Sequence, residues 1–123
     1  MSYTVQRLKD YPAILISYHD DFDISSDYAL STKDAMKLLD AESNPVTIII
    51  DLTEFSMSLN DLLEGTRLAF KPDMNTAKHS KTLNTIVISK MGIMKKSVDG
   101  FRKMGLSDDL RVADSLEDAL ALL

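Results

Sequence analysis

The chain contains no cysteine, which excludes a disulfide scaffold, a cysteine-ligated metal and thiol redox chemistry. Its four glycines stand at positions 65, 92, 100 and 105. That scatter forms neither of the glycine-rich loops that cradle nucleotide phosphates. No serine lies in a nucleophile-elbow pattern, and the two histidines, His19 and His79, have no evident nucleophile partner in the sequence. No apolar run approaches the roughly 18 residues that a membrane-spanning helix requires. The N-terminus lacks the basic start and apolar core of a signal peptide. Internal repeats, low-complexity tracts and linkers are missing as well. The resulting expectation is a soluble, cytoplasmic protein with no membrane span.

The 123 residues suit one domain, 1–123, with room for a proper core but not for two. Apolar residues make up 45% and charged residues 27%, an ordinary globular balance rather than a disordered one. The net charge of −5 is unevenly spread. Residues 1–62 carry 4 Lys/Arg against 11 Asp/Glu, and residues 63–123 carry 10 against 8. Phosphate contacts need basic groups, so nucleic acid is not an expected partner. The split itself reads either as one basic face or as the coating of individual helices.

The chain is organised around residues 46–51, Val-Thr-Ile-Ile-Ile-Asp, a nearly continuous apolar and β-branched run bounded by Asn44-Pro45 and by Asp51. Such a run fits a strand covered on both faces, as in the centre of a parallel sheet. Open α/β sheets place their sites at the C-terminal edge of such strands. Residues 3–8 and 13–19 read as a hairpin around Pro12, and Asp20, Asp21 and Asp23 as an acidic loop. A helix over 26–41 places Tyr28, Thr32, Ala35, Met36 and Leu39 on one stripe. Ser58-Leu-Asn-Asp61 has the form of a capping box, opening a helix whose apolar face is Leu59, Leu62, Leu63, Thr66 and Phe70. Residues 71–83 have no clear period and read as a long polar connection. A strand over 84–89 follows, then a helix with Met94, Val98 and Phe101 inward that ends at Gly105. A short strand at 110–113 precedes a second capping box at Ser115, whose helix turns Leu116, Ala119, Leu120 and Leu123 inward. The expected fold is α/β, a mixed sheet in the order β-β-α-β-α-β-α-β-α.

That order, with an acid closing the central strand and a helix beginning a few residues later, resembles the STAS domain. The family includes sulfate-transporter tails and bacterial anti-sigma-factor antagonists of the SpoIIAA type. Asp51-Leu52-Thr53 is similar to the family's Asp-Leu-Ser, and Phe55 falls at a following apolar position. Leu59-Asn60-Asp61-Leu62 stands where the family has Asp-Ser-Ser-Gly, and Ser115-Leu-Glu-Asp-Ala-Leu120 is similar to the close of small STAS-like proteins. The resemblance places Asp61 at the position of the serine that a partner kinase phosphorylates. A carboxylate there supplies about one negative charge against roughly −1.5 to −2 for phosphate. It therefore implies a domain whose phospho-switch is absent or held on one side, with Ser56 or Ser58 as substitutes if the loop is slipped. On the residues alone, Ser58 is a helix cap and Asp61 its box partner.

Other clusters offer less. His19 with Asp20, Asp21 and Asp23 has metal-ligand chemistry but no standard spacing. His79 lies among Lys78, Lys81 and hydroxyl residues, a setting for an anion or simply a solvated loop. Lys90, Lys95, Lys96, Arg102 and Lys103 form a wet helix face or a surface for an acidic partner. The methionines, among them Met57, Met74, Met91 and Met104, suit core filling or an adaptable contact surface.

The reading is a non-enzymatic interaction domain that uses no cofactor and no metal. Its working surface is Thr53, Ser56, Ser58, Asn60 and Asp61, docking to a regulatory protein or to a second copy as a homodimer. One alternative is a carrier of an anionic metabolite or lipid beneath the first helix. The other is an enzyme built on His19, Asp20, Asp21 and Asp23.

Overall fold

The computed structural model describes residues 2–107 and 109–123. Strands β1 (Tyr3–Arg7) and β2 (Ala13–Tyr18) precede helix α1 (Ile24–Asp40), strand β3 (Val46–Asp51) and helix α2 (Leu59–Ala69). Two 3-10 turns, Pro72–Met74 and Thr76–Lys78, lead to β4 (Thr82–Ile88), α3 (Gly92–Lys103), β5 (Leu110–Ala113) and α4 (Leu116–Leu120). Among the described residues the strands form one sheet in the order β1-β2-β3-β4-β5. β1 and β2 pair antiparallel, and every later pairing is parallel. The protein is thus α/β, with a five-stranded mixed sheet interleaved with helices.

The run at 46–51 is the middle strand, and Val46 to Ile49 are buried. Alternation along it divides the core. Ile48, with Ile14, Ile16, Val87 and Leu110, packs beneath Ala35 and Leu39 of α1, Leu68 of α2 and Met94 of α3. Ile49, with Leu15, Ile86 and Ile88, faces the other way, towards Ala119 of α4. Three consecutive helices share one face because parallel crossovers between sequential strands all turn with the same hand.

Local chemistry sets the ends of the elements. The Asp23 carboxylate accepts from the Ser25 N–H (3.2 Å), so α1 begins at Ile24, two residues before the expected start. Its buried stripe contains Thr32, Ala35 and Leu39 as expected, with Ile24 and Ser31 added. α3 ends as Gly105 takes φ 77°. The Leu106 N–H reaches the Phe101 carbonyl and the Gly105 N–H the Arg102 carbonyl, each at 3.0 Å, the crossed pair of a Schellman ending. At α4 only half of the expected capping box forms: Ser115 accepts from the Asp118 N–H at 3.1 Å. That helix stops at Leu120, which leaves Leu123 41% exposed rather than inward.

The connection after α2 is ordered by partners distant in sequence. The Tyr28 hydroxyl donates to the Met74 carbonyl (2.7 Å), and the buried Asn75 amide donates to the Leu106 carbonyl (2.8 Å). His79 Nδ1 accepts from the Lys81 N–H (2.9 Å), so its Nε2–H is the donor to Asp40 (2.7 Å). That histidine fastens the connection to the end of α1 and is not presented to an anion. Among the described residues no helix is long and apolar enough to cross a membrane.

Candidate functional site

The C-terminal edge of β3 is ordered by an aromatic cluster. Tyr18 and Phe22 stack with ring centroids 3.8 Å apart, and Phe55 meets Phe22 edge-on at 5.4 Å. Phe55 is buried, which anchors the loop after β3 and leaves Thr53, Glu54 and Ser56 exposed around it. Asp51 closes the strand as an Asx turn, accepting from the Thr53 N–H at 2.9 Å and from its hydroxyl at 2.7 Å.

At the head of α2 the capping box is complete. The Ser58 hydroxyl accepts from the Asp61 N–H (3.1 Å), and the Asp61 carboxylate accepts from the Ser58 N–H (2.9 Å). Thr53, Ser58 and Asp61 are therefore engaged within the chain. The helix N-terminus is occupied by the protein's own carboxylate, as the capping-box reading implied. Among the described residues the side chains of Ser56 and Asn60 make no hydrogen bond, and both are exposed. They are the two polar groups of the expected surface that remain open.

The groups of the acidic loop are engaged separately. His19 turns to Glu54, with Nδ1 2.8 Å from its carboxylate. Asp23 caps α1, while Asp20 and Asp21 are exposed. Among the described residues no cluster of three His, Cys, Asp or Glu is placed to hold a metal. The loop instead gives the site its sign. The His19–Glu54 pair ties it to the loop after β3, and a groove between the two helix heads is lined by Ile24, Ser25, Asn60, Asp61, Glu64 and Arg67. Arg67 is held by Glu64 through two bonds of 3.0 and 2.6 Å, which also keeps that carboxyl below its usual range. The rim is acidic.

The faces of α2 differ from expectation. Leu62 and Thr66 point inward with Gly65 and Ala69, and Leu68 is the buried residue of the helix. Leu59, Leu63 and Phe70, expected inward, are 59%, 60% and 56% exposed. The reason is rotational phase: the inward direction is centred on Gly65 and Ala69, the smallest side chains on the helix, rather than on Leu59 and Leu63.

Beneath those small residues lies a partly open cavity of about 160 Å³ between α1, α2, α3 and the sheet. Its wall includes Ile16, Val87, Met94, Phe101, the phenols Tyr18 and Tyr28, and Thr85. Burial pushes the Tyr28 hydroxyl up to about 12 and the Tyr18 hydroxyl further still, so both are neutral donors at ordinary pH. Among the described residues Asp61 is the one charged residue in the wall, and no Lys, Arg or His lines it. An anionic metabolite or lipid headgroup inside it would find no counter-charge among those residues.

Nothing in the sequence pattern marked the cavity; the pairing of Gly65 with Ala69 one turn later was the available signal. Among known proteins, no family model matches the chain and no curated protein matches it.

Proposed function

We propose that the chain is a non-enzymatic protein-interaction domain of the STAS type, comprising residues 1–123, which docks a regulatory protein on the head and outer face of α2. The observation that carries this reading is the exposure of Leu59 and Leu63 (59% and 60%), one turn apart beside the open side chains of Ser56 and Asn60. Two large apolar groups flanked by polar ones and placed over a groove have the anatomy of an interface core and rim. The acidic surround, with Asp20, Asp21, Asp23 and Glu54, calls for a partner that is basic around an apolar centre.

The family reading is supported by the chain path. A central strand ends in Asp51, Phe55 returns to the core, and a helix opens at Ser58. Asp61 supplies a fixed negative charge at the helix head where antagonist domains carry a phosphorylatable serine. Because that carboxylate is bound to its own cap, the surface is permanently in one state and needs no kinase.

The test compares the native chain with a Leu59→Asn/Asn60→Ala/Leu63→Asn variant in pull-downs from native lysate at low and high salt, with sedimentation to detect self-association. The expected result is a partner retained at low salt, weakened by salt and lost in the variant, with thermal unfolding unchanged. Retention by the variant equal to the native chain would refute the assignment. A concentration-dependent dimer abolished by the variant would replace the regulatory partner with a second copy.

A further inference from the structure

We infer that the cavity beneath α2 is a binding site for a small neutral molecule, about the size of one aromatic ring, that carries a single hydrogen-bonding group. Three independent observations converge on that chemistry. The first is size: the space measures about 160 Å³ and is partly open to solvent, and about 150 Å³ of apolar space is enough to take up benzene.

The second is an orphaned polar group. Thr85 lies in the cavity wall and is 4% exposed, and its hydroxyl has no hydrogen-bond partner. Among the described residues it is the one buried side-chain nitrogen or oxygen in that condition. A buried hydroxyl left unpaired is costly, and a ligand hydroxyl, ring N–H or carbonyl would satisfy it. The neighbouring Tyr28 phenol is already engaged with the Met74 carbonyl.

The third is that α2 lines the space with its smallest residues, Gly65 and Ala69. A Cβ added at Gly65 would meet no atom within 4 Å, although Gly65 lies inside a helix and on the cavity wall.

Charge narrows the ligand further. Among the described residues Asp61 is the only acidic or basic side chain in the wall, and its carboxylate is taken by the Ser58 N–H. A carboxylate or phosphate would lose its hydration with no cation to replace it, so the occupant is neutral. Phenol, indole and short alcohols have the required form. The site is on the underside of α2 and does not depend on what docks to the outer face.

The experiment titrates the full chain with phenol, indole, benzene and benzoate at pH 7, using calorimetry and amide chemical shifts. Phenol and indole should bind saturably, with shifts centred on Gly65, Thr85 and Phe101. Benzene should bind more weakly, and benzoate should not bind. Thr85→Val keeps the shape and removes the hydroxyl. It should weaken phenol about three- to tenfold, the range of one net hydrogen bond, and leave benzene unchanged. Gly65→Leu, or Ala69→Leu if the first does not fold, should abolish all binding. The inference is overturned if benzoate binds as well as phenol, if the filled variants still bind, or if no probe saturates and the cavity holds water alone.

Discussion

Replacing Gly65 by alanine tests the geometry of α2 by stability alone. Gly65 is interior to an 11-residue helix, and its backbone does not occupy the positive-φ region. An interior Gly→Ala exchange gains about 0.8–1.0 kcal/mol of helix propensity, chiefly by narrowing the unfolded ensemble. No packing gain or clash modifies that figure, because the new Cβ would meet no atom within 4 Å. For a chain of 123 residues the unfolding entropy is about 0.26 kcal/mol per kelvin near 60 °C, so the melting temperature should rise about 4 °C. Circular dichroism on thermal and urea unfolding reads both quantities. Gly100→Ala in α3, likewise open around its Cβ, should behave the same way and serves as control. Gly105→Ala should lose roughly 1 kcal/mol, because φ 77° is strained for any side chain. A loss of stability in Gly65→Ala, with the expected gain in Gly100→Ala, would mean that the space under α2 is filled and would refute the reasoning.

Two further outcomes follow from the same site. Ser58→Ala removes the acceptor for the Asp61 N–H and should cost about 1 kcal/mol, within a usual span of roughly 0.5–2; Ser58→Asp should recover most of it in urea unfolding. Tyr28 gives a pH dependence. Its hydroxyl is lifted by burial to about 12 from an ordinary value near 10, so the folded chain holds the proton where the unfolded chain releases it. Its contribution, on the order of 2–3 kcal/mol, is complete below pH 10 and drains away between about pH 10 and 12. Tyr28→Phe should flatten that part of the stability curve, and urea midpoints at pH 9, 10 and 11 that fall as steeply as in the native chain would count against it.

How far the sequence reaches depends on whether the deciding interaction is local. The strand at 46–51 was legible to the residue because β-branched continuity and the flanking Asn44-Pro45 are neighbours in the chain. The Ser58–Asp61 box and the turn at Gly105 were legible for the same reason. The 3-10 turns after α2 were not, since their fastenings, Tyr28 to Met74 and Asn75 to Leu106, join residues 46 and 31 apart. At α2 the period was right and the phase wrong by roughly a quarter turn, at 100° per residue. Assigning the largest side chains to the interior is the usual rule, and it failed where the interior is a cavity. The side chains of Ser56 and Asn60 make no hydrogen bond among the described residues, and the Ser58–Asp61 pair is bonded as its spacing indicated. The turn from Asp51 to Thr53 was not read, because it depends on side-chain direction, which spacing alone does not specify.

The inverted burial of α2 bears on both proposed surfaces. Full burial of a leucine or phenylalanine contributes about 1.5–3 kcal/mol, and Leu59, Leu63 and Phe70 each forgo roughly half of it by standing 56–60% exposed. Gly65 adds its own propensity deficit on the inner side. A helix optimised for stability would be turned so that Leu59 and Leu63 filled the space below and the small residues met solvent. Its capping box and its Glu64–Arg67 pair show that local preferences at α2 are otherwise met. Departures from such preferences concentrate where a structure serves binding rather than stability. Two of them on opposite faces of one helix are what a partner above and a small ligand below would each require.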